Sequence, residues 1–389
     1  GWQWAWDGKA ENPIPDLFPV TVWPEEQLRY NGHYPHGDEI IISYSVQGRA
    51  VLESPKLERI GENPVIHHRL TVHAGENPLE LIVLDDQPEI KGKTATIGYS
   101  IAWLQTKNKK VRFRSSDNGK LVLQIPPSDK PLHLNVALSH DESGSLKQQT
   151  PSHQVVNLLE WTQGGPRRWK TTHTLKGRLT TSSFQGYAMD SITVPLKNAY
   201  NSWMRTSSLA FFPDGRLAVG TLPGDVWIVS GINDHLDGVT WQRFAAGLYE
   251  PLGMKVVDGV LTAITRGRIV KLHDYNQDGE ADFYEAFFNE NEPDKGWHAY
   301  NFDLEVGKDG SYYYGRTGGF SQWSVPGGVV KVSADGKSSE VIGAGLRVPN
   351  GIGKLPDGRI TLGDNQGTYV PASKISITSP DAFHGAGSW

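Results

Sequence analysis

From Asp38 onward the chain is a run of short segments in which apolar and polar residues alternate, separated by Gly, Asn, Asp and Pro. Alternation of period two sends successive side chains to opposite faces of a strand, and clustered turn residues mark where strands end. Glu39–Val46, Ala50–Glu53, His67–His73, Leu79–Leu84, Ala95–Ala102, Lys110–Arg114, Lys120–Ile125 and His133–Leu138 all fit that template. Short strands at this spacing predict an antiparallel, β-sandwich-like domain over residues 31–145. His67, His68 and His73 could gather a metal there, but alternation divides them between faces, and a strand with one wet face also accounts for them.

After Ser182 the alternation acquires a longer rhythm. Ser208–Gly220 is followed by Gly224–Val229, Gly253–Ile264 by Gly267–Leu272, Phe302–Tyr314 by Gly328–Val332, and Gly351–Leu362 by Ser373–Ile377. Each unit reads strand, turn, strand, loop, strand, and a period of about 45–50 residues with that content marks a β-propeller blade. The Asp-Gly pairs that begin at 214, 309, 335 and 357 are turn chemistry. Four blades are visible, so the expectation is an all-β chain whose residues 182–389 belong to a larger propeller. Ahead of the sandwich, residues 1–30 form a strap rich in Trp and Pro, with its rings packed on its own domain or laid out to stack on sugars. Residues 146–181 are polar and read as a linker.

Composition narrows the function. With 38% apolar residues in 389 and a mean hydropathy of -0.43, the chain can pack a core, and no apolar run is long enough to span a membrane. A net charge of -5 without a basic stripe argues against nucleic acid. The absence of cysteine excludes disulfides, thiolate catalysis, zinc ribbons and covalent haem attachment within this chain. A start at Gly1 without Met suggests a removed leader or a fragment, and an end at Trp389 without a closing strand suggests truncation.

One stretch carries candidate metal chemistry. Asp274, Asn276, Asp278, Glu280, Asp282 and Glu285 follow the spacing of a calcium loop, with Gly279 at the sharp turn. Calcium needs six or more oxygens, and this spacing would supply Asp and Asn side chains, the Glu280 carbonyl and a bidentate Glu285. The flanks, Gly267–His273 and Asp282–Phe288, have strand character, so the loop would cap a β-hairpin. The competing account is an Asx-rich hairpin turn whose carboxylates are solvated.

Several phrases also resemble a known family. Tyr187–Pro195, Gly224–Gly231, Ala246–Gly253, Leu272–Tyr284, Pro349–Gly351 and Gly363–Gly367, with His33–Asp38 and Val51–Pro55 in front, are similar to secreted bacterial proteins of the sorbosone-dehydrogenase-like, membrane-bound dehydrogenase type. Such proteins are common in Planctomycetes and Verrucomicrobia. The resemblance implies a periplasmic or extracellular propeller and a c-type cytochrome domain or protein as electron acceptor. More distantly, the propeller is similar to soluble sugar dehydrogenases that use pyrroloquinoline quinone (PQQ) and calcium. By that likeness Arg347 and Asn350, in Gly345–Gly351, and Gln366 and Gly367 would contact the cofactor, and His298 would be the base. An arginine matches the carboxylates of a quinone, calcium polarises the carbonyl that receives hydride, and a neutral histidine accepts a proton. Arg316 stands where those enzymes place an acid to orient the histidine, Val348 and Thr368 replace a polar residue and a proline, and the later blades are missing.

The leading expectation is oxidation of a sugar or alcohol by hydride transfer to PQQ. The alternatives are a non-catalytic carbohydrate-binding or assembly module with a structural calcium, and a propeller polysaccharide lyase or hydrolase. No close carboxylate pair marks a hydrolase.

Overall fold

The computed structural model describes residues 3–4, 27–142, 144–146, 151, 155–180, 186–290, 299–318, 327–367 and 371–386. All regular structure among them is β, apart from one 3-10 turn at Leu158–Thr162. The chain divides into two compact units, Gly1–Pro166 and Arg167–Trp389. The expected strap at residues 1–30 lies almost wholly outside the described residues.

The strands of the first unit are β1 (Gln3–Trp4), β2 (Leu28–His36), β3 (Glu39–Val46), β4 (Arg49–Ile60), β5 (Asn63–Val72) and β6 (Leu79–Leu84). They continue with β7 (Glu89–Lys91), β8 (Thr94–Ile97), β9 (Ser100–Thr106), β10 (Arg112–Ser115), β11 (Leu121–Ile125) and β12 (Leu132–His140). Two sheets result, ordered β1-β6-β11-β10 and β2-β3-β4-β5-β12-β9-β8-β7. Alternate residues of β6 and β11, among them Leu79, Leu81, Leu121 and Leu123, meet Val51, Leu70, Leu134 and Val136 of the larger sheet in one buried core. That is the expected sandwich.

On the other face of the larger sheet, Leu158 of the 3-10 turn packs with Ile41 and Leu52. Beside it the buried Arg69 reaches Glu39 Oε2 at 2.6 Å and Ser54 Oγ at 2.7 Å. His67 Nε2 lies 2.9 Å from Glu58 Oε2, and His68 Nδ1 lies 2.7 Å from Glu53 Oε1. The histidines of β5 thus have separate carboxylate partners and do not converge.

Two local expectations change. Ala95–Ala102 is a hairpin between β8 and β9, turning at Gly98 with φ 56°. The apolar alternation runs straight through the turn, and only a residue at ease in the left-handed region reveals it. β2, in contrast, holds Gly32 and Pro35 and pairs with β3 across its whole length. Those residues ordinarily argue against a strand, which is why none was expected there.

The second unit opens with β13 (Thr172–Leu175), then forms β14 (Thr206–Phe211), β15 (Leu217–Thr221), β16 (Val226–Ser230) and β17 (Val239–Ala245). Next come β18 (Gly253–Val257), β19 (Val260–Ile264), β20 (Arg268–His273) and β21 (Phe283–Asn289). They are followed by β22 (Asn301–Val306), β23 (Tyr312–Arg316), β24 (Gly328–Val332) and β25 (Ser339–Ala344). The last are β26 (Pro349–Lys354), β27 (Ile360–Asp364), β28 (Lys374–Ile377) and β29 (Ala382–Phe383). β14–β17, β18–β21, β22–β25 and β26–β28 are successive antiparallel meanders. β13 adds to the outer edge of the first, and β29 lies parallel to β25 of the third.

Their first strands, β14, β18, β22 and β26, lie against one another in that order, so the sheets fan around a common axis. The sequence pattern explains the stacking. Leu261, Ala263, Val270 and Leu272 of the second meander pack with Ala218, Ile228 and Phe244 of the first. Their strand neighbours Ile264 and Ile269 pack with Leu304, Tyr312 and Val330 of the third. Val329 and Leu346 meet Ile352, Ile360 and Leu362 of the fourth. A blade buried on both faces needs apolar residues at both parities, and these sheets have them. The β-propeller expected from the repeat is the fold of this unit.

Candidate functional site

Where the first strands meet, a cleft of about 400 Å³ opens along the axis. Thr206, Ser207 and Ser208 enter from β14, Gly253 from β18, Asp303 from β22, and Asn350 and Gly351 from β26. Ser207 Oγ and Ser208 Oγ both donate to Pro251 O at 2.8 Å. Asp303, at φ 56°, accepts from Leu304 N at 2.8 Å and from Ile352 N at 2.9 Å, so its carboxylate ties the third blade to the fourth. Asn350 is exposed on the cleft wall. Among the described residues no cation lines this cleft.

Asn350 also borders a neighbouring cleft of about 400 Å³, with Val348, Asp364, Asn365, Ser373 and Lys374. The buried Asp364 accepts from Val348 N at 2.9 Å and from Arg347 N at 3.2 Å, closing the turn before β26 onto the end of β27. Arg347 lines neither cleft; its Nη1 donates to Gln366 O at 2.7 Å. Arg347, Asn350, Gln366 and Gly367 are therefore brought to one end of the β26–β27 pair. His298 and Thr368 lie outside the described residues.

The fit to a trianionic quinone can be judged from these groups. Lys374 is the one cation lining either cleft among the described residues, and its Nζ donates to His384 O. The acids Asp303 and Asp364 line the same surfaces. A tricarboxylate set between these acids would meet more repulsion than compensation. The described residues do not fit PQQ by themselves.

Beside Arg316 the structure places an acid that the sequence did not point to. Arg316 Nη1 lies 2.8 Å from Glu290 Oε1, and Asn301 Nδ2 donates to Glu290 Oε2 at 3.3 Å. Both members of the pair are largely buried. No motif marks Glu290, since only the packing of the second blade against the third brings it to Arg316.

The acidic loop between β20 and β21 folds on its own amides. Asp274 accepts from Asp278 N at 3.1 Å and Gly279 N at 2.9 Å, and Asp282 from Tyr275 N at 2.8 Å and Asn276 N at 3.2 Å. Asn276 Oδ1 accepts from Asp278 N at 3.1 Å, and Asp278 Oδ1 from Glu280 N at 2.9 Å. Burial, and then the neighbouring carboxylates, push the carboxyls of Asp274 and Asp278 up.

Of the six expected ligands Glu285 leaves the ring, and the Glu280 side chain, whose carbonyl was the expected donor, is drawn aside as well. Glu280 turns to Arg168, with Nε at 2.6 Å, and accepts from the amides of Arg168 and Trp169. Glu285 stands on β21 opposite Lys271, with its Oε2 2.6 Å from His273 Nε2, because strand pairing governs its direction. Among the described residues no group of three or more His, Asp or Glu is arranged to hold a metal. The set does not fit calcium as a whole, and the loop's visible work is different. Gly279 O accepts from Gln242 Nε2 at 2.7 Å and Ala281 N donates to Phe244 O at 2.9 Å, so the tip clamps the second blade onto the first.

A family model described as a domain of unknown function (DUF6797) matches residues 1–53. No curated protein matches the sequence. Among solved structures, the chain is similar to the PQQ-bound aldose sugar dehydrogenase of Streptomyces coelicolor, with 17% identity, a TM-score of 0.36, and coverage of 46% of this chain and 61% of that one. It is similar to the PQQ domain of pyranose dehydrogenase from Coprinopsis cinerea, with 12% identity, a TM-score of 0.37, and coverage of 46% and 53%. A Bacteroides thetaiotaomicron protein of unknown function is covered completely and covers 92% of this chain, with 12% identity and a TM-score of 0.35. This chain spans less than two thirds of either dehydrogenase. At these values the likeness carries nothing about chemistry.

Proposed function

We propose that the second unit is the sugar- or alcohol-binding part of a secreted, quinoprotein-type dehydrogenase, with the substrate seated in the axial cleft. The observation that supports this is the meeting of Asn350 with Thr206, Ser207, Ser208 and Asp303 where the first strands of the blades converge. Hydroxyl, amide and carboxylate groups without a lining cation suit a neutral polyhydroxy ligand, which supplies donors and acceptors in pairs.

PQQ, when bound in such enzymes, accepts the hydride, and the described residues do not fit it by themselves. His298 as proton acceptor, Arg347, Gln366 and Gly367 as cofactor contacts and a cytochrome as electron acceptor belong to this reading as proposals.

A second reading, a carbohydrate-binding module without chemistry, is favoured by one observation. Arg316 is engaged by Glu290 and Arg347 by the Gln366 carbonyl, so both cations are already used inside the protein.

Calorimetric titration with a panel of aldoses and polyols tests both readings, followed by dye reduction after addition of PQQ and calcium. Binding is expected, weakened about tenfold by Asn350→Ala, the loss of one or two hydrogen bonds to a neutral group. Turnover selects the dehydrogenase, binding without turnover selects the module, and neither binding nor turnover removes both.

A further inference from the structure

A second cleft, of about 580 Å³, lies between the first and second blades and away from the axis. Its size falls within the range of about 300–1,000 Å³ typical of small-ligand sites. Phe212, Ile228, Leu261 and Leu272 provide an apolar floor. The rim is polar and carries both charges, from Arg216, Asp274, His273 and Gln277.

The feature that decides its chemistry is Tyr275. The residue is 49% exposed. It lies nearly parallel to His273, with centroids 5.4 Å apart at 24°, and to Phe283, at 6.4 Å and 20°. Phe283 and His273 are themselves 5.8 Å apart at 24°. The His273 ring is held in turn by Glu285 at 2.6 Å. An aromatic ring fixed by parallel neighbours offers a large contact surface that loses little freedom when something settles on it.

Around that ring are groups with hydrogen-bonding capacity to spare. Asp274 accepts one amide on each oxygen, and a carboxylate oxygen can accept more. Arg216 uses Nε on Asp214 at 2.8 Å and rests 4.9 Å over Phe212, with no bond to its terminal nitrogens among the described residues. An apolar C–H face above Tyr275 and hydroxyls at the ring edge would meet both requirements at once, and a pyranose has that division.

We propose that this inter-blade cleft binds a pyranose unit of a neutral polysaccharide, stacked on Tyr275 and hydrogen-bonded by Asp274 and Arg216. It is separate from the axial cleft and would hold a polymer on the protein, whatever occurs at the axis.

Native electrophoresis in gels containing xylan, mixed-linkage β-glucan or galactomannan tests this with the full chain. At least one polysaccharide should retard the protein. Tyr275→Ala should weaken that retardation about tenfold or more, as expected for an aromatic anchor. Tyr275→Phe, which keeps the ring, should leave it unchanged. Absence of retardation in all three gels, or equal retardation of Tyr275→Ala, overturns the proposal. Loss of retardation in Asn350→Ala with retention in Tyr275→Ala also overturns it, while leaving the axial reading standing.

Discussion

Gly253 stands where the first strand of the second blade passes closest to that of the third. A Cβ there would lie 2.2 Å from the carbonyl carbon of Asp303, a backbone atom that cannot swing away. Gly253→Ala should therefore cost about 1–3 kcal/mol through overpacking, read as a fall in the calorimetric midpoint of the second unit; an unmoved midpoint would contradict so close an approach. The Asp-Gly turns are a different use of glycine. Asp214, Asp309, Asp335 and Asp357 each accept the amide two residues ahead, and Gly215, Gly310, Gly336 and Gly358 all have positive φ. That chemistry is local, so it was legible in full.

In the first unit, burial pushes the Glu39 carboxyl up, but Lys56 at 2.5 Å and Arg69 at 2.6 Å more than offset this, and its pKa ends below the usual 4.5. A folded-state pKa below the unfolded one adds stability above the unfolded value, and that stability is lost as pH falls through the folded one. Glu39→Gln should cost about 1–3 kcal/mol at neutral pH, and in urea titrations the difference from the parent should vanish as the pH drops well below 4.5. A pH-independent difference would assign the loss to packing.

At the scale of the element, the hairpin β20–β21 shows how a motif can be read correctly as a turn and still hold a surprise. Its Asp and Asn spacing was plain in the sequence, as was its place between strands. Which way Glu280 and Glu285 turn was not, because Arg168 is distant in sequence and His273 lies across the strand pair. Saturable calcium would raise the melting midpoint, since a ligand at a hundred times its Kd adds about 2.7 kcal/mol. With Glu285 engaged by His273 and the Asp274, Asp278 and Asp282 carboxylates bonded to loop amides, adding calcium to chelator-treated protein should leave the midpoint in place, whereas Glu280→Gln should lower it by weakening the tie to Arg168. A saturable rise with calcium would put the ion back in the loop.

At the scale of the whole molecule, the repeat announced the blades before any coordinates did. Blades 1 to 3 appear as full four-stranded meanders and the fourth as three strands. Among the fourth strands β21 was expected, whereas β17 and β25 were not: polar residues such as Gln242, Arg243, Ser339 and Glu340 interrupt their apolar pattern. The axial cleft could not be read at all, since Thr206, Gly253, Asp303 and Asn350 come from four separate repeats.

What the sequence determined by itself was everything governed by neighbours along the chain: strand periodicity, Asp-Gly turns, the sandwich ahead of the blades, and the acidic turn. Tertiary structure alone decided which groups share a surface. Radial stacking set Asn350 beside Asp303 at the axis and left Tyr275 half open above an apolar floor, while pairing of β20 with β21 turned Glu285 to His273. The reason is physical: backbone preferences act over a few residues, whereas a site is assembled by packing between strands that no local pattern connects.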